Sequence, residues 1–314
     1  MLNTLAISTR DAFGEEILSL ANEFPNLYII DCDVGRSTKT VSFARQYPTR
    51  YINVGAAEQN AAGVAAGLAT MGKIPIISTY AVFGSMRMLE QIRQSICYPN
   101  LNVKIACSHG GLTPGNDGAT HQGIEDMGIV STIPNMTVIM PADYYSARKL
   151  IREAVNKQGP VYLRFTRDPV PVIYSERDTF EIGKGNLVRD GDNITIMAIG
   201  DTLSIALKAC EELAKYDITA RVVDMHTLKP IDKEMVTDCI YKTKYIITVE
   251  DHTIINGLGS AVSSICAEIG VGRVAKVGIP DRFGESGKYE ELLYLNNITV
   301  TEVVKKALQM LEKI

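Results

Sequence analysis

The chain has 314 residues, 46% of them apolar and 22% charged, with a net charge of −4, a balance that suits a globular protein of two ordinary domains. That charge gives no bulk attraction to nucleic acid or to an acidic membrane, and no apolar run is long enough to cross a bilayer. The start, "MLNTLAISTRDAFGEE", lacks the basic-then-apolar pattern of a secretory leader.

In chain order, short apolar and β-branched runs alternate with periodic or Ala-rich stretches. Strands are predicted at "LYIID" (27–31), "KIPIIST" (73–79), "NVKIACS" (102–108), "MTVIMP" (136–141) and "PVYLRF" (160–165), and helices over 11–23, 58–71, 84–96 and 143–157. Strands joined by helical crossovers imply a mostly parallel sheet covered on both faces. The stretch 167–193, rich in Pro, Gly and charge, reads as a linker with one hairpin. The alternation then restarts: strands at 194–200, 219–225, 244–250 and 273–278, and helices at 202–215, 232–240, 258–268 and 299–313, the last opening on a capping box of Thr299 and Glu302. The expectation is two three-layer α/β/α domains, 1–170 and 191–314, joined by a linker at 171–190. Cysteines 32, 97, 107, 210, 239 and 266 form no CxxC pair and read as small core residues of a cytoplasmic protein.

Ligands of open α/β sheets sit beyond the carboxyl ends of the strands. Four loops answer to that rule, all in the first domain. "SHGGLTPGNDGATHQGIED" (108–126) puts two His, two Asp, one Glu and five Gly into nineteen residues. His109, His121 and Asp117 can exchange protons there, or the loop can simply satisfy its own backbone. "DCDVGRSTKT" (31–40) sets Arg36, Ser37 and Thr38 after a strand; this suits a phosphate oxygen or an ordinary N-cap, and it is not a Walker loop. In "YINVGAAEQNAAGVAAG" (51–67) a single carboxylate, Glu58, opens a small-residue helix, where the helix dipole favours it as a cap. "STYAVFGSM" (78–86) spaces Tyr80 and Phe83 to hold a flat heterocycle or to fill the core.

Taken in order, "VGAAEQN", the Tyr80–Phe83 pair, "GNDGATHQ", "NMTVIMPAD", "PVYLRFTR" and "ARVVDMHTLKPID…IITVEDH…NGLGSAV" resemble the pyrimidine-binding and C-terminal domains of transketolase along nearly the whole chain. The family's diphosphate- and magnesium-binding "GDG…N" segment is missing. The resemblance therefore implies the C-terminal subunit of a split transketolase of carbohydrate (pentose phosphate) metabolism, working with an N-terminal partner subunit in a heterotetramer. It implies thiamine diphosphate as cofactor, with Mg2+ ligands on the partner, and sugar phosphates as substrates. By position, Glu58 would hydrogen-bond the ring nitrogen of the cofactor's aminopyrimidine and favour the tautomer that activates the thiazolium. Tyr80, Phe83 and Met86 would surround the pyrimidine, Met86 standing where a third aromatic is frequent, and Asp33 would lie near the cofactor at the subunit junction. His121 would approach the reacting carbons, Asp117 a substrate hydroxyl, and Arg10, Ser37, His109 and Arg167 the terminal phosphate. His226 and His252 would be structural. Two departures stand out: Gly110 and Gly111 replace an acidic or hydroxyl pair, and Arg36 adds a cation that suits another anion, such as a sulfonate. The alternatives are a 2-oxo acid dehydrogenase β subunit, whose substrate loop lacks this "DGATHQ" form, a deoxyxylulose-phosphate synthase, and a non-catalytic scaffold, for which Glu58, Asp117 and His121 would have no use.

Overall fold

The computed structural model describes residues 5–312. Seven strands form the larger sheet, in the order Thr227–Lys229, Thr137–Ile139, Val161–Arg164, Lys104–Ser108, Ile74–Tyr80, Leu27–Asp31, Tyr51–Asn53. Every pairing in it is parallel except the edge pair of Thr227–Lys229 with Thr137–Ile139. The strands are apolar on both faces because helices cover both. Alternate residues of one strand serve different cores: Leu27 and Ile29 join Phe13, Ile17, Leu150 and Ile151 beneath helices Thr9–Glu23 and Tyr144–Asn156, while Ile30 joins Ala61 and Ala65 of helix Glu58–Thr70. Apart from Glu58 at its start, the buried residues of the helix Glu58–Thr70 are all alanine, so it sits close on the sheet. Helix Tyr144–Asn156 starts on a capping box in which Asp143 accepts from Ser146 N and Ser146 Oγ accepts from Asp143 N, both at 2.9 Å.

The second sheet has five strands, in the order Arg273–Ile279, Tyr245–Thr253, Ile194–Ala198, Ala220–Asp224, Asn186–Arg189, with only the last antiparallel. The two domains share an apolar core: Met140 and Ile105 of the first pack in one cluster with Met197, Ile199 and Val223 of the second.

Three local expectations need correction. The predicted helix 84–96 is broken into Ala81–Met86, Leu89–Gln91 and a π-helical turn Ile92–Cys97, so that Met88, Ile92, Ile96 and Cys97 can all reach the core. The stretch 167–193 holds no hairpin among the described residues; Val170–Pro171 pairs with Ala6–Ile7, and Asn186–Arg189 pairs with Ala220–Asp224. Thr227–Lys229, expected with the second domain, closes the edge of the first sheet. The final helix runs Val300–Met310, capped by Thr299 accepting from Glu302 N; residue 313 lies outside the described residues.

Candidate active site

Because the central strands are parallel, their carboxyl ends emerge together. The segments leaving them carry, side by side, Arg167, His109, Tyr80, Asp33 to Ser37, and Glu58. Two hydrogen-bonded threonines lock one side of this edge. Thr166 N donates to Thr9 Oγ1 at 2.7 Å and the two hydroxyls lie 3.1 Å apart, which sets the next residues, Arg10 and Arg167, next to each other. Arg10 Nη1 donates to Ser37 O at 2.9 Å, while its buried Nε has no partner. Burial lowers the Arg10 pKa, with the neighbouring Arg167 cation a further cause.

His109 is buried with φ +60, its Nδ1 2.7 Å from Ser108 Oγ. Burial, then Arg10, Arg167 and His121, push its pKa down to about 3, so the ring is neutral at physiological pH and offers single hydrogen bonds rather than charge. Tyr80 stacks on it with centroids 3.9 Å apart, Phe83 lies 5.9 Å beyond Tyr80, and His121 meets the Phe83 ring edge-on at 5.4 Å. Asp117 accepts from Arg167 Nη1 at 3.1 Å and stays exposed. Asp33 accepts from Asn53 Nδ2 at 3.0 Å, tying its loop towards that of Glu58. Arg36 lines the cleft formed with Asp33, Ser37, Asn53 and Tyr80, and also a depression on the outer side beside Asp11, Lys39 and Arg45.

Glu58, the first residue of its helix, is buried at 5% exposure. Both its carboxylate oxygens accept from Arg87 Nη1 at 3.3 Å, and the same guanidinium lies 3.9 Å over the Phe83 ring. Arg87 therefore lies over the Phe83 ring, while Met86 is exposed. Sequence reading missed Arg87; its spacing of four from Phe83, on one face of a helix, was the available signal. It also missed Asp31, a buried carboxylate on the cleft wall whose pKa burial raises and whose Oδ1 has no partner.

A second missed group lies under the 108–126 loop. Arg164, fully buried, is 3.2 Å from Asp126 through Nε and donates through Nη2 to Gly123 O at 3.0 Å and Asp251 O at 2.8 Å. Asp251 accepts Leu112 N at 3.0 Å, and Tyr289 donates to both Asp201 and Asp251. A Cβ on Gly110 would stand 2.2 Å from Arg164 Nε, and one on Gly111, at φ +59, 2.1 Å from Asp251 Oδ2. The glycine pair therefore has a packing cause, since any larger residues would displace this network. His226 and His252 are fully buried, with pKa lowered to about 4 by burial; His252 Nε2 accepts from Gly128 N at 3.1 Å.

Among the described residues no group of three or more His, Cys, Asp or Glu is placed to hold a metal ion, and no helix is long and apolar enough to cross a membrane. The six cysteines are free thiols.

Comparison with known proteins agrees with this arrangement. The family model of the transketolase pyrimidine-binding domain matches residues 6–172, and that of the transketolase C-terminal domain matches residues 183–303. The chain is 44% identical to a putative transketolase C-terminal section of Methanocaldococcus jannaschii over 97% of this chain and 96% of that protein. It is 38% identical to a 6-deoxy-6-sulfo-D-fructose transketolase subunit of Clostridium sp. strain MSTE9, over 97% of this chain and 94% of the relative. A solved split-gene transketolase, described as an inactive β4 tetramer, superimposes with a TM-score of 0.90 at 43% identity, over 98% of this chain and 99% of that one. Parallel-sheet architecture, motif order and matched domains together establish that the chain belongs to the transketolase family and carries its pyrimidine-binding and C-terminal domains.

Proposed function

We propose that the chain is the C-terminal subunit of a split transketolase, moving a two-carbon ketol unit from a ketose phosphate, or a related anionic ketose such as a sulfo-sugar, to an aldose. The observation that carries this reading is the buried Glu58, linked through Arg87 to Phe83 of the stacked Tyr80–Phe83 pair, on the sheet edge that also bears Arg10, Ser37, His109 and Arg167. The pyrimidine-binding unit corresponds to 1–170, the linker to 171–190 and the C-terminal unit to 191–314. The site residues fit thiamine diphosphate: a buried acid at a helix start suits a ring nitrogen, and the adjacent rings suit a flat heterocycle. When bound, the cofactor's thiazolium supplies the carbon nucleophile and electron sink of the transfer.

The chain's own residues orient and polarise. Glu58 holds the pyrimidine through its carboxyl, while Tyr80, Phe83 and Met86 exclude water from the ring. Asp33 supports the cofactor from the neighbouring loop. Arg10, Arg167 and Ser37 take the substrate's terminal anion, with neutral His109 giving one directed hydrogen bond. Asp117 accepts a sugar hydroxyl, and His121, edge-on to Phe83, exchanges protons with the substrate oxygens. Arg36, at the rim, adds a cation for a phosphate or a sulfonate. An N-terminal partner supplies the diphosphate and Mg2+ ligands, giving a cytoplasmic heterotetramer.

The test is co-purification with the half-length N-terminal chain and a ketol-transfer assay with thiamine diphosphate and Mg2+. The mixture turns over sugar phosphate or sulfo-sugar, and this subunit alone binds the cofactor poorly. An assembled complex without transfer activity favours the scaffold alternative, and full activity of this chain by itself defeats the proposal.

A further inference from the structure

Arg87 makes, within this chain, the two contacts proposed above for the cofactor's pyrimidine. One nitrogen of its guanidinium spans both Glu58 oxygens at 3.3 Å, and its planar head lies 3.9 Å over the Phe83 ring. The geometry arises locally. Phe83 sits in helix Ala81–Met86 and Arg87 is its C-cap, so the pair is four residues apart on one face. Glu58 enters from the start of another helix and is buried, whereas the Arg87 side chain is 53% exposed. A guanidinium is flat, carries N–H donors at its edge and stacks on aromatic faces. It therefore reproduces both features of an aminopyrimidine.

We propose that Arg87 is an internal placeholder for the heterocycle: it caps Glu58 and Phe83 in the unloaded chain and swings into solvent when the cofactor enters. This rests on the function proposed above. The holding contacts are of the displaceable kind. Shared donation at 3.3 Å is long, and the Arg87 side of both contacts is half exposed to solvent. Such contacts keep the side chain in place about nine-tenths of the time. Occupancy of the site by its own residue lowers apparent ligand affinity by the fraction left open. The placeholder also keeps the buried Glu58 carboxylate from standing unpaired before the cofactor arrives.

The proposal makes a prediction opposite in sign to plain electrostatics. Thiamine diphosphate is an anion, so removing a nearby cation should weaken its binding. Removing a placeholder should tighten it. Calorimetry of thiamine diphosphate with excess Mg2+ on the complex of this chain and its N-terminal partner distinguishes the two. Arg87→Ala and Arg87→Gln are expected to lower Kd about tenfold, given the occupancy above. In a Glu58→Gln background, which removes the charge that anchors the guanidinium, Arg87→Ala should no longer tighten binding. An unchanged or raised Kd in both single Arg87 variants overturns the placeholder, as does equal tightening with and without Glu58. Absence of saturable cofactor binding by the wild-type complex instead defeats the underlying function.

Discussion

The two sheets of this protein follow the same plan, yet their carboxyl edges end differently. The ends of the first sheet's strands bear Asp33, Glu58, Tyr80, His109 and Arg167; Glu58 and His109 are buried, while Asp33 and Tyr80 line an open cleft. The ends of the second sheet's strands bear Asp201, Asp224, Glu250 and Asp251, and all four are buried. Two of them face the first domain and the linker: Asp251 takes Leu112 N and Asp224 takes the Tyr174 hydroxyl at 2.9 Å, while Glu250 takes Leu258 N and Gly259 N, and Asp201 the Tyr289 hydroxyl, within the second domain; Leu112 and Ile124 of the 108–126 loop are seated in the second domain's core. The strand-end rule identifies both edges. The first edge keeps an open cleft beside Asp33 and Tyr80, whereas the second is closed against the 108–126 loop.

The sharpest way to break this comparison is at Arg164. It is a buried cation joined to Asp126 and to the carbonyls of Gly123 and Asp251, so it binds both domains to the substrate loop. Arg164→Leu leaves Asp126 as a buried, unpaired charge and should cost about 3–5 kcal/mol, measured by urea unfolding. A loss below about 1 kcal/mol would mean that the network is incidental to the domain junction. On the reacting edge, Glu58→Gln should do the reverse. It should preserve the urea midpoint and reduce turnover of the assembled enzyme on the order of a hundredfold, since an amide cannot share a proton with a ring nitrogen as a carboxyl does. Wild-type turnover in that variant would remove the role given to Glu58.

The inert edge should also declare itself through pH. Burial raises the carboxyls of Asp224 to about 8 and of Glu250 to about 7, and Asp201 and Asp251 are raised for the same first reason, Asp251 further by the Asp201 carboxylate beside it. Asp224 faces the Tyr174 hydroxyl, with the Asp143 carboxylate also acting on it. Its unfolded value is about 3.9. Between those two values the native state keeps a proton that the unfolded chain has released, so stability is greatest below about pH 4 and falls as pH rises towards 8. From pH 6.5 to 8 the fall should be on the order of 2 kcal/mol, and Asp224→Asn should flatten part of it. A stability that climbs over that interval would contradict a protonated strand edge.

Much of this was legible beforehand because it is periodic or local. Apolar strands bounded by turn residues, an Ala-rich helix and the Thr299 N-cap each announce themselves within a dozen residues, although the reciprocal Glu302 half of the expected capping box is not formed. The loop that gathers Gly, His and Asp beyond a strand marks itself as a candidate site in the same way. What the sequence concealed depends on residues distant along the chain. Arg164 lies inside the apolar strand "VYLRF" with no local sign of its role, because its partners Asp126 and Asp251 stand 38 and 87 positions away. Gly110 and Gly111 looked like a substrate-related departure until the space taken by Arg164 and Asp251 explained them. Thr227–Lys229 joined the other domain's sheet because Thr137–Ile139 offered an open edge, a fact of topology with no local signature. Arg87 was overlooked because attention to aromatic residues stopped at Met86.

The smallest expected effect falls at Arg36, on the rim of the open cleft. It is exposed and lies between the cleft with Ser37 and Tyr80 and the outer depression with Asp11 and Lys39. A solvated cation there contributes little to stability, and Arg36→Ala should leave the urea midpoint unchanged. Its field still reaches an anion held by Arg10 and Arg167, so KM for an anionic ketose should rise about two- to fivefold with kcat unaltered. Because the rim is open to water, the rise should shrink as salt is raised towards 1 M. Comparing sugar phosphate with sulfo-sugar then sharpens the reading. A dianionic phosphate gains more from each added cation than a monoanionic sulfonate does, so a purely electrostatic Arg36 should penalise the phosphate more when removed. A larger penalty on the sulfonate would instead assign Arg36 a directed contact with that group and make it a determinant of which anionic sugar the cleft accepts.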